Sequence, residues 1–362
     1  MSKKTDVDKY FDDKVELILQ LKQLKELSIN EIKTITRCPN FLYKYRDFDE
    51  HTFDMIENQY IYLAEPKKLD DQFECKVNEL DTSLKRLSDE ELHKILDYAI
   101  IKKIVDLLPK QNQFLMKEVE KSCFEADAFS REKYIMFFMK KNKKSSKEIQ
   151  EVISKSDVLA NKLLENEEFK NVIHTLLKLL NDLRTDTGIC SLAEKKDNQV
   201  MWTMYANHYK GCCIEYDFSS ELDNPNYLGC CYKLYPVLYK KKRDFNIVGF
   251  LTAIIMNAFL EEKIQKKNYP SFLKEFLSII LTKGKDWEFQ REWRLIDSCK
   301  TKHPAPKIKA IYLGSNVKEA NKQKILDYAE KYDFKVYIQE NDYQTLELKF
   351  TELKKEKICK NE

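Results

Sequence analysis

The strand-forming segments of this chain fall into two groups, separated by about a hundred residues of helical pattern. The first group, at residues 41–45 and 60–63, is short, aromatic and bounded by polar residues, and a helix is predicted between its members at about 48–58. Strands gathered on both sides of a helical block favour a mixed or mostly antiparallel sheet, because a doubly wound sheet needs alternating strands and helices. We therefore predict an α+β protein.

The second group of strands begins after Gly188, where we expect a helix to end. Helical patterns at about 248–266, 271–282 and 317–331 interrupt it. The predicted strands occupy residues 189–192, 212–216, 237–239, 293–296, 308–313, 334–338 and 346–350.

The helical block itself has the pattern of an insertion into this sheet protein. Ser88 and Glu91 have the spacing of a capping box, and apolar residues then recur on one helical face. The polar run 140–147 is predicted to connect two parts of the block. The predicted divisions are a helical leader at 1–38, the first part of the core at 39–83, the insertion at 84–187, the second part of the core at 188–350 and a tail at 351–362.

Charge and cysteine content exclude several classes of protein. A net charge of +3 leaves no strong global field for nucleic acid or an anionic membrane. The ten cysteines show neither CxxC nor Cys/His ligand spacing, so we expect no metal site and mostly reduced thiols. The first residues lack the apolar core of a signal peptide, and the apolar run 250–260 is too short to span a bilayer. The predicted location is cytoplasmic.

The common catalytic signatures are absent, namely GxGxxG, GxxxxGK[ST], HExxH, GxSxG and the kinase motifs. Candidate chemistry therefore rests on three segments that are rich in polar and aromatic residues. The first ends its strand with Tyr45 and Arg46, and Arg46 suits a phosphate or carboxylate. Asp71 and Glu74 are placed to orient that guanidinium or to bind a ribose hydroxyl. The alternative is a simple turn, since Pro66 and two aspartates are turn formers.

The second segment predicts a short helix followed by a strand after Gly211. Trp202 and Tyr205 lie on the helix, and His208 lies near the junction, where side chains can face a cleft. The alternative places both aromatic residues in the core and His208 at the helix end as a cap. A dyad of His208 with Cys212 or Cys213 is a further alternative, although strand cysteines are usually buried and inert.

The third segment, predicted as an extended strand, alternates so that Glu288, Gln290, Glu292 and Arg294 share one face. Such a face suits acid–base chemistry or the stabilisation of a cationic intermediate. A solvated edge strand, or a ladder in which Glu292 and Arg294 pair with a neighbouring strand, explains the same pattern.

In this order the segments resemble the bacterial domain-of-unknown-function (DUF) family 2971. Four motifs carry this resemblance. They are Leu-Tyr-Lys-Tyr-Arg at residues 42–46, a segment at 66–74 that begins with Pro and ends with Phe-Glu, Met-Trp-Thr-Met-Tyr at 201–205 together with the segment 208–216, and a segment at 287–294 that begins with Trp and ends with Trp-Arg. This chain departs from the family pattern with Asp70 for asparagine, Gln72 for proline and Gln290 for the first glutamate of the last motif.

A weaker resemblance, in motif order, links the chain to ADP-ribosyltransferases, for which Gln-x-Glu is an accepted variant. This resemblance implies NAD as the cofactor, with Arg46 on its phosphates or adenine ribose and Tyr62 stacked on nicotinamide. It also implies that Glu292 binds the ribose and stabilises an oxocarbenium-like transition state, while Gln290 orients the acceptor. The predicted function is then a toxin or phage-defence effector that transfers ADP-ribose or hydrolyses NAD.

Two other functions are compatible with the sequence. In the first, the cleft captures a nucleotide or signal ligand without catalysis, and the helical insertion contacts a partner protein. In the second, the lysine-rich runs 140–147 and 240–243 bind nucleic acid, which the balanced total charge disfavours. For an enzyme, the insertion is the predicted contact with a macromolecular acceptor or an activating partner.

Overall fold

The computed structural model describes residues 39–76, 88–106, 131–219, 233–242, 251, 276–342 and 344–353. The predicted leader at 1–38 lies outside these ranges, as do almost all of the helix predicted at 248–266 and the beginning of the one at 271–282. Residues 276–281 of the latter are helical. The chain divides into two compact units, with boundaries after residues 75, 183, 243 and 279.

The first unit contains every described strand. The helices that lie wholly within it are α1 (Glu50–Glu57), α6 (Gln199–Tyr205) and α7 (Glu319–Tyr332), numbered in chain order together with those of the second unit. Its strands are β1 (Phe41–Arg46), β2 (Tyr60–Tyr62), β3 (Thr187–Ala193), β4 (Cys212–Asp217), β5 (Leu234–Pro236), β6 (Leu238–Lys240), β7 (Thr282–Gly284), β8 (Glu292–Ser298), β9 (Lys302–Pro304), β10 (Lys307–Leu313), β11 (Lys335–Asp342) and β12 (Glu347–Leu353).

Eight of these strands form one sheet in the order β12-β11-β10-β4-β1-β3-β8-β5. Its neighbouring strands are antiparallel, with the exception of β10 and β11, which are parallel. Two small sheets pair β2 with β9 and β6 with β7. The predicted α+β class with a mixed, mostly antiparallel sheet is confirmed.

The two faces of the sheet carry separate cores, as the alternation of side chains along a strand requires. In β1, Leu42 joins a core that includes Ile56 of α1 and Ile325 of α7. Tyr45 joins the opposite core, which contains Trp202 of α6. The helix α6 therefore covers one face, and α1 and α7 cover the other.

The described part of the second unit is helical, as predicted for the insertion. Its helices are α2 (Asp89–Asp106), α3 (Arg131–Lys141), α4 (Ser146–Leu164) and α5 (Glu167–Asp186), the last of which ends in the first unit. Buried apolar residues from all four helices share one core. The Ser145 hydroxyl and the Glu148 carboxylate form a reciprocal capping box at the start of α4. No helix in the described ranges is long and apolar enough to cross a membrane.

Gly188 lies inside β3 and does not end a helix, so that prediction was wrong. Helix α5 ends at Asp186 without a glycine. A Cβ atom at Gly188 would lie 2.5 Å from the carbonyl oxygen of Ser298 and 2.8 Å from the Cβ of Leu63. Glycine is needed at this position because the end of β8 packs directly against its backbone.

Candidate functional site

The large sheet opens between β1 and β3. Strand β1 pairs with β4 along its whole length but meets β3 only where Tyr43 lies opposite Ala193. Beyond that pair, the Lys44 ammonium crosses the gap and donates a hydrogen bond to the Ser191 carbonyl at 2.7 Å. Ile189 on β3 instead exchanges backbone hydrogen bonds with the segment that follows β2. A cleft enters the sheet at this opening.

This cleft has a volume of about 420 Å³, within the usual range of small-molecule sites of roughly 300–1,000 Å³. All three sequence segments predicted to form the site contribute to its wall. The lining includes Tyr43, Lys44, Tyr45, Arg46, Tyr62, Lys68, Asp70 and Glu74 of the first segment, Met201, Met204 and Tyr205 of the second, Gln290 and Glu292 of the third, and Lys283. Within the described ranges, no group of three His, Cys, Asp or Glu residues is placed to hold a metal ion.

Four buried charged side chains form one network at the cleft wall. Lys283 Nζ lies 2.5 Å from Glu74 Oε1 and 3.0 Å from Glu292 Oε2. Arg294 Nη2 lies 2.9 Å from Glu74 Oε1, and Arg294 Nε donates to Glu292 Oε1 at 2.7 Å. Lys283 and Glu292 are each 5% exposed and Arg294 is fully buried. Two cations and two carboxylates therefore neutralise each other away from water, which buried charges require.

Glu292 is held in its ionised form. Burial raises the pKa of this carboxyl group, but the charges of Arg294 and Lys283, together with hydrogen bonds from Arg294 and Ser191, lower it to about 2. A carboxylate with so low a pKa accepts protons poorly at neutral pH. It is suited to stabilising positive charge, so of the two predicted roles for this face the second is favoured.

The ionisation of Glu292 also makes folding sensitive to acid. Folding lowers its pKa from 4.5 to about 2, so it contributes stability that is fully present above pH 4.5 and is lost as the pH falls to about 2. That shift corresponds to about 3 kcal/mol. Between about pH 5 and pH 2, we expect wild type to lose about 3 kcal/mol more unfolding free energy than Glu292→Gln, measured by urea denaturation. Parallel pH profiles for the two proteins would contradict this prediction.

Gln290 does not share a strand with Glu292 and Arg294, so the extended third segment was predicted wrongly. Residues Lys285–Gln290 form a 3-10 helix, and Arg291 then adopts a left-handed backbone with φ 44° and ψ 55°. This residue interrupts the alternation, because only an extended backbone places every second side chain on one face. The solvated edge strand is excluded as well, since β8 lies between β3 and β5.

The 3-10 helix nevertheless brings Gln290 into the network. Its Oε1 accepts a hydrogen bond from Lys283 at 2.6 Å, and its Nε2 donates to the Tyr205 hydroxyl at 2.8 Å. Burial and the neighbouring Asp70 raise the pKa of Tyr205, so the hydroxyl stays protonated. The second and third segments are thus joined by hydrogen bonds inside the cleft.

Arg46, the last residue of β1, has unused hydrogen-bonding capacity in the cleft wall. Its Nε is buried without a hydrogen-bond partner, and its Nη2 donates to the Met55 sulfur at 3.4 Å, a weak acceptor. The backbone at this point is closely packed, because a Cβ atom at Gly211 would lie 2.1 Å from the Arg46 carbonyl oxygen. A fixed backbone and an underused guanidinium favour the predicted binding of an anionic group.

Tyr45 and Tyr62 both line the cleft, as predicted, but they differ in their other contacts. The Tyr45 hydroxyl donates to the Lys195 carbonyl at 2.8 Å, and its ring is 5% exposed. Tyr62 is 36% exposed. Tyr62 therefore presents more ring surface to a ligand, whereas Tyr45 mainly supports the wall.

Trp202 is a core residue and does not line the cleft. Its side chain is fully buried, and Nε1 donates to the Lys196 carbonyl at 2.7 Å. Its ring packs edge-on against Tyr45 at 5.5 Å and parallel to Tyr209 at 6.2 Å. The structural alternative for this residue is correct, because α6 turns Trp202 toward the sheet and Tyr205 toward the cleft.

His208 and Asp71 are also absent from the cleft lining. His208 is exposed in the turn after α6, in a left-handed conformation with φ 51°. Asp71 is buried, and its Oδ1 accepts a hydrogen bond from the backbone N–H of Phe73 at 2.9 Å. Asp71 thus stabilises the turn that the alternative interpretation predicted, and His208 lies apart from the other predicted site residues.

Lys283 lines the cleft but is not among the site residues predicted from the sequence. It contacts Glu74, Glu292 and Gln290, and its ammonium lies 4.9 Å from the centre of the Trp287 ring. Lysine is abundant in this chain, and no motif marks this one. The available signal was its position two residues after the apolar run 279–281, since a lysine that such a run brings into the interior needs a carboxylate partner.

The family described as Protein of unknown function (DUF2971) matches residues 201–295. These residues contain the second and third motifs, and with them Tyr205, Lys283, Gln290 and Glu292 of the cleft. No curated protein and no solved structure matches the chain. The prediction from the motifs is confirmed for residues 201–295, which match the DUF2971 family of proteins of unknown function.

Proposed function

We propose that the chain binds NAD in this cleft and breaks the bond between nicotinamide and ribose, as an NAD glycohydrolase or an ADP-ribosyltransferase of the effector type. The observation that carries the proposal is the ionised Glu292 in the wall of a cleft that Arg46 also lines. The fixed anion of Glu292 suits the nicotinamide ribose of NAD, which becomes cationic during the reaction. The unused hydrogen-bond donors of Arg46 suit the diphosphate next to that ribose.

Glu292 acts on the ribose by electrostatics. As the glycosidic bond breaks, its electron pair leaves with nicotinamide, and positive charge develops on the ribose ring. A carboxylate that is already ionised and fixed stabilises this oxocarbenium-like state without reorganising. Water or an acceptor nucleophile then forms the new bond to the same carbon and loses its proton to solvent. With a pKa of about 2, Glu292 stays charged throughout.

Arg46 binds the diphosphate, because its planar guanidinium can donate two parallel hydrogen bonds to phosphate oxygens. We expect Arg46→Met to weaken NAD binding about tenfold or more, the loss of one charge-assisted contact. Nicotinamide riboside lacks the diphosphate, so its affinity should not change. Calorimetric titration with both ligands measures the two dissociation constants.

The matched control is Lys68→Met, which removes an exposed cation from the same cleft. We expect Lys68→Met to weaken NAD binding less than Arg46→Met does, because an exposed ammonium is already well solvated. Equal losses of NAD and nicotinamide riboside binding in Arg46→Met would exclude the diphosphate contact.

A second function, ligand capture without catalysis, is favoured by the completeness of the charged network. Glu292 already accepts hydrogen bonds from Arg294, Lys283 and Ser191, so its oxygen atoms have partners before any ligand binds. In a sensor the network would hold the cleft rigid, and the nucleotide would bind above it unchanged.

Nicotinamide release distinguishes the two functions. Purified protein is incubated with NAD, with and without cell lysate as a source of acceptor or activator, and nicotinamide is measured by chromatography. Release supports the enzyme. Binding of NAD without release supports the sensor, and the absence of both excludes NAD as the ligand.

A further inference from the structure

A second group of aromatic and charged side chains lies beside the cleft, on the sheet face that α6 covers. The Tyr43 and Tyr312 rings meet at an angle of 62° with their centres 6.4 Å apart. The Lys196 ammonium lies 5.0 Å from the centre of the Tyr312 ring and 5.7 Å from that of Tyr43. One cation is therefore held over two ring faces, an arrangement that attracts organic cations in general.

A buried carboxylate completes this group. Glu215 of β4 lies opposite Tyr43 in the sheet register, is 5% exposed and accepts a hydrogen bond from the Tyr312 hydroxyl at 2.6 Å. Among the described residues it forms no ion pair. A buried carboxylate without an ion pair favours a cation nearby, and the ammonium of Lys196 is over the same two rings.

The tyrosines keep neutral, electron-rich faces. Burial, followed by the hydrogen bond and charge of Glu215, raises the pKa of Tyr312. Burial and the same carboxylate also raise the pKa of Tyr43. Both hydroxyls therefore remain protonated at neutral pH, and their acidic hydrogens are directed toward Glu215.

Lys196 fits this position imperfectly. In the described part of the chain its ammonium has neither a hydrogen bond nor an ion pair, so its three N–H groups depend on water. A quaternary or trimethylated ammonium has no N–H group to satisfy and loses less hydration on meeting ring faces. The group therefore suits an alkylated ammonium better than it suits its own lysine.

We propose that Tyr43, Tyr312 and Glu215 form a binding site for an alkylated ammonium group, and that Lys196 occupies this site as an internal competitor. Tyr43 also lines the cleft, so the proposed site and the cleft share this side chain. Displacement of the Lys196 side chain would free the ring surfaces that its ammonium now covers. The proposal does not depend on NAD cleavage.

The test is titration of the full chain with tetramethylammonium, followed by calorimetry or by NMR shifts of the tyrosine rings. Lys196→Ala should bind the cation about two- to fivefold more tightly than wild type, because one competing contact over the rings is removed. Lys195→Ala is the matched control, because Lys195 is exposed and the cation over both rings is Lys196. This variant should bind tetramethylammonium with the affinity of wild type. The affinity for tert-butanol, a neutral molecule of similar shape, should be the same in Lys196→Ala as in wild type.

Glu215→Gln keeps the shape of the carboxylate and should weaken tetramethylammonium binding about tenfold, because charge assistance is lost. Its thermal unfolding is measured in parallel because Glu215 is buried. Tyr43→Leu removes one of the two aromatic rings, which is half-buried. This variant should also bind tetramethylammonium more weakly than wild type. Equal affinity in wild type, Lys196→Ala and Tyr43→Leu, or an equal gain for tert-butanol, would overturn the proposal.

Discussion

Glu292→Gln is expected to lower the rate of nicotinamide release by about 100- to 1,000-fold while NAD still binds. Glutamine keeps the shape of the side chain but carries no charge, so the cationic ribose in the transition state loses its fixed anion. The ground state carries no charge on the ribose, so its binding changes much less. Initial rates at saturating NAD and calorimetric dissociation constants measure the two effects separately.

Glu288→Gln is the matched control for this experiment. Glu288 precedes Glu292 by four residues in the chain, but it is exposed and pairs loosely with Lys285 at 3.6 Å. The Glu288→Gln variant should release nicotinamide at the rate of wild type. All variants are assayed below their melting temperatures, because Glu292 also stabilises the fold. If Glu292→Gln cleaved NAD at the full rate, Glu292 would have no role in the chemistry, whatever enzyme activity the wild type showed.

Lys283→Met should lower the free energy of unfolding by about 3–5 kcal/mol at neutral pH. Methionine fills a similar volume but leaves the buried carboxylates of Glu74 and Glu292 with Arg294 as their one cationic partner among the described residues. One negative charge is then desolvated without compensation. Gln290 also loses the donor to its Oε1. Urea denaturation with a two-state fit, checked by a second spectroscopic probe, measures the change.

Lys285→Met provides the comparison, since this lysine follows Lys283 by two residues but its ion pair with Glu288 is exposed on both sides. We expect Lys285→Met to lower the free energy of unfolding by less than about 1 kcal/mol. Lowering the pH should reduce the difference in the free energy of unfolding between the two variants, because protonation of the carboxylates removes the uncompensated charge. Equal costs for the two variants at neutral pH would show that the buried network does not stabilise the fold.

Local patterns in the sequence predicted most elements of the first unit. Aromatic and β-branched runs located β1, β4 and β10, and helical periodicity located α7. The grouping of strands around a helical block also predicted the mostly antiparallel sheet. Three short strands, Leu234–Pro236, Thr282–Gly284 and Lys302–Pro304, escaped prediction because three residues show too little alternation to be recognised.

For the site, three of the residues predicted from the sequence, Arg46, Tyr62 and Glu292, line one cleft although they are far apart in the chain, and their roles stay predictions. The sequence did not distinguish Trp202, which is buried, from Tyr205, which lines the cleft, because both are large aromatic residues on one short helix. Their different positions depend on how α6 lies on the sheet.

The network around Lys283 and the opening between β1 and β3 became apparent only in the folded chain. Periodicity reports the face on which a residue lies within its own helix or strand, and motifs report residue types at short spacings. Contacts between residues such as Glu74 and Lys283 depend on strand order, register and the left-handed backbone at Arg291. These features arise when distant segments pack together, since that packing determines which buried charges can neutralise each other.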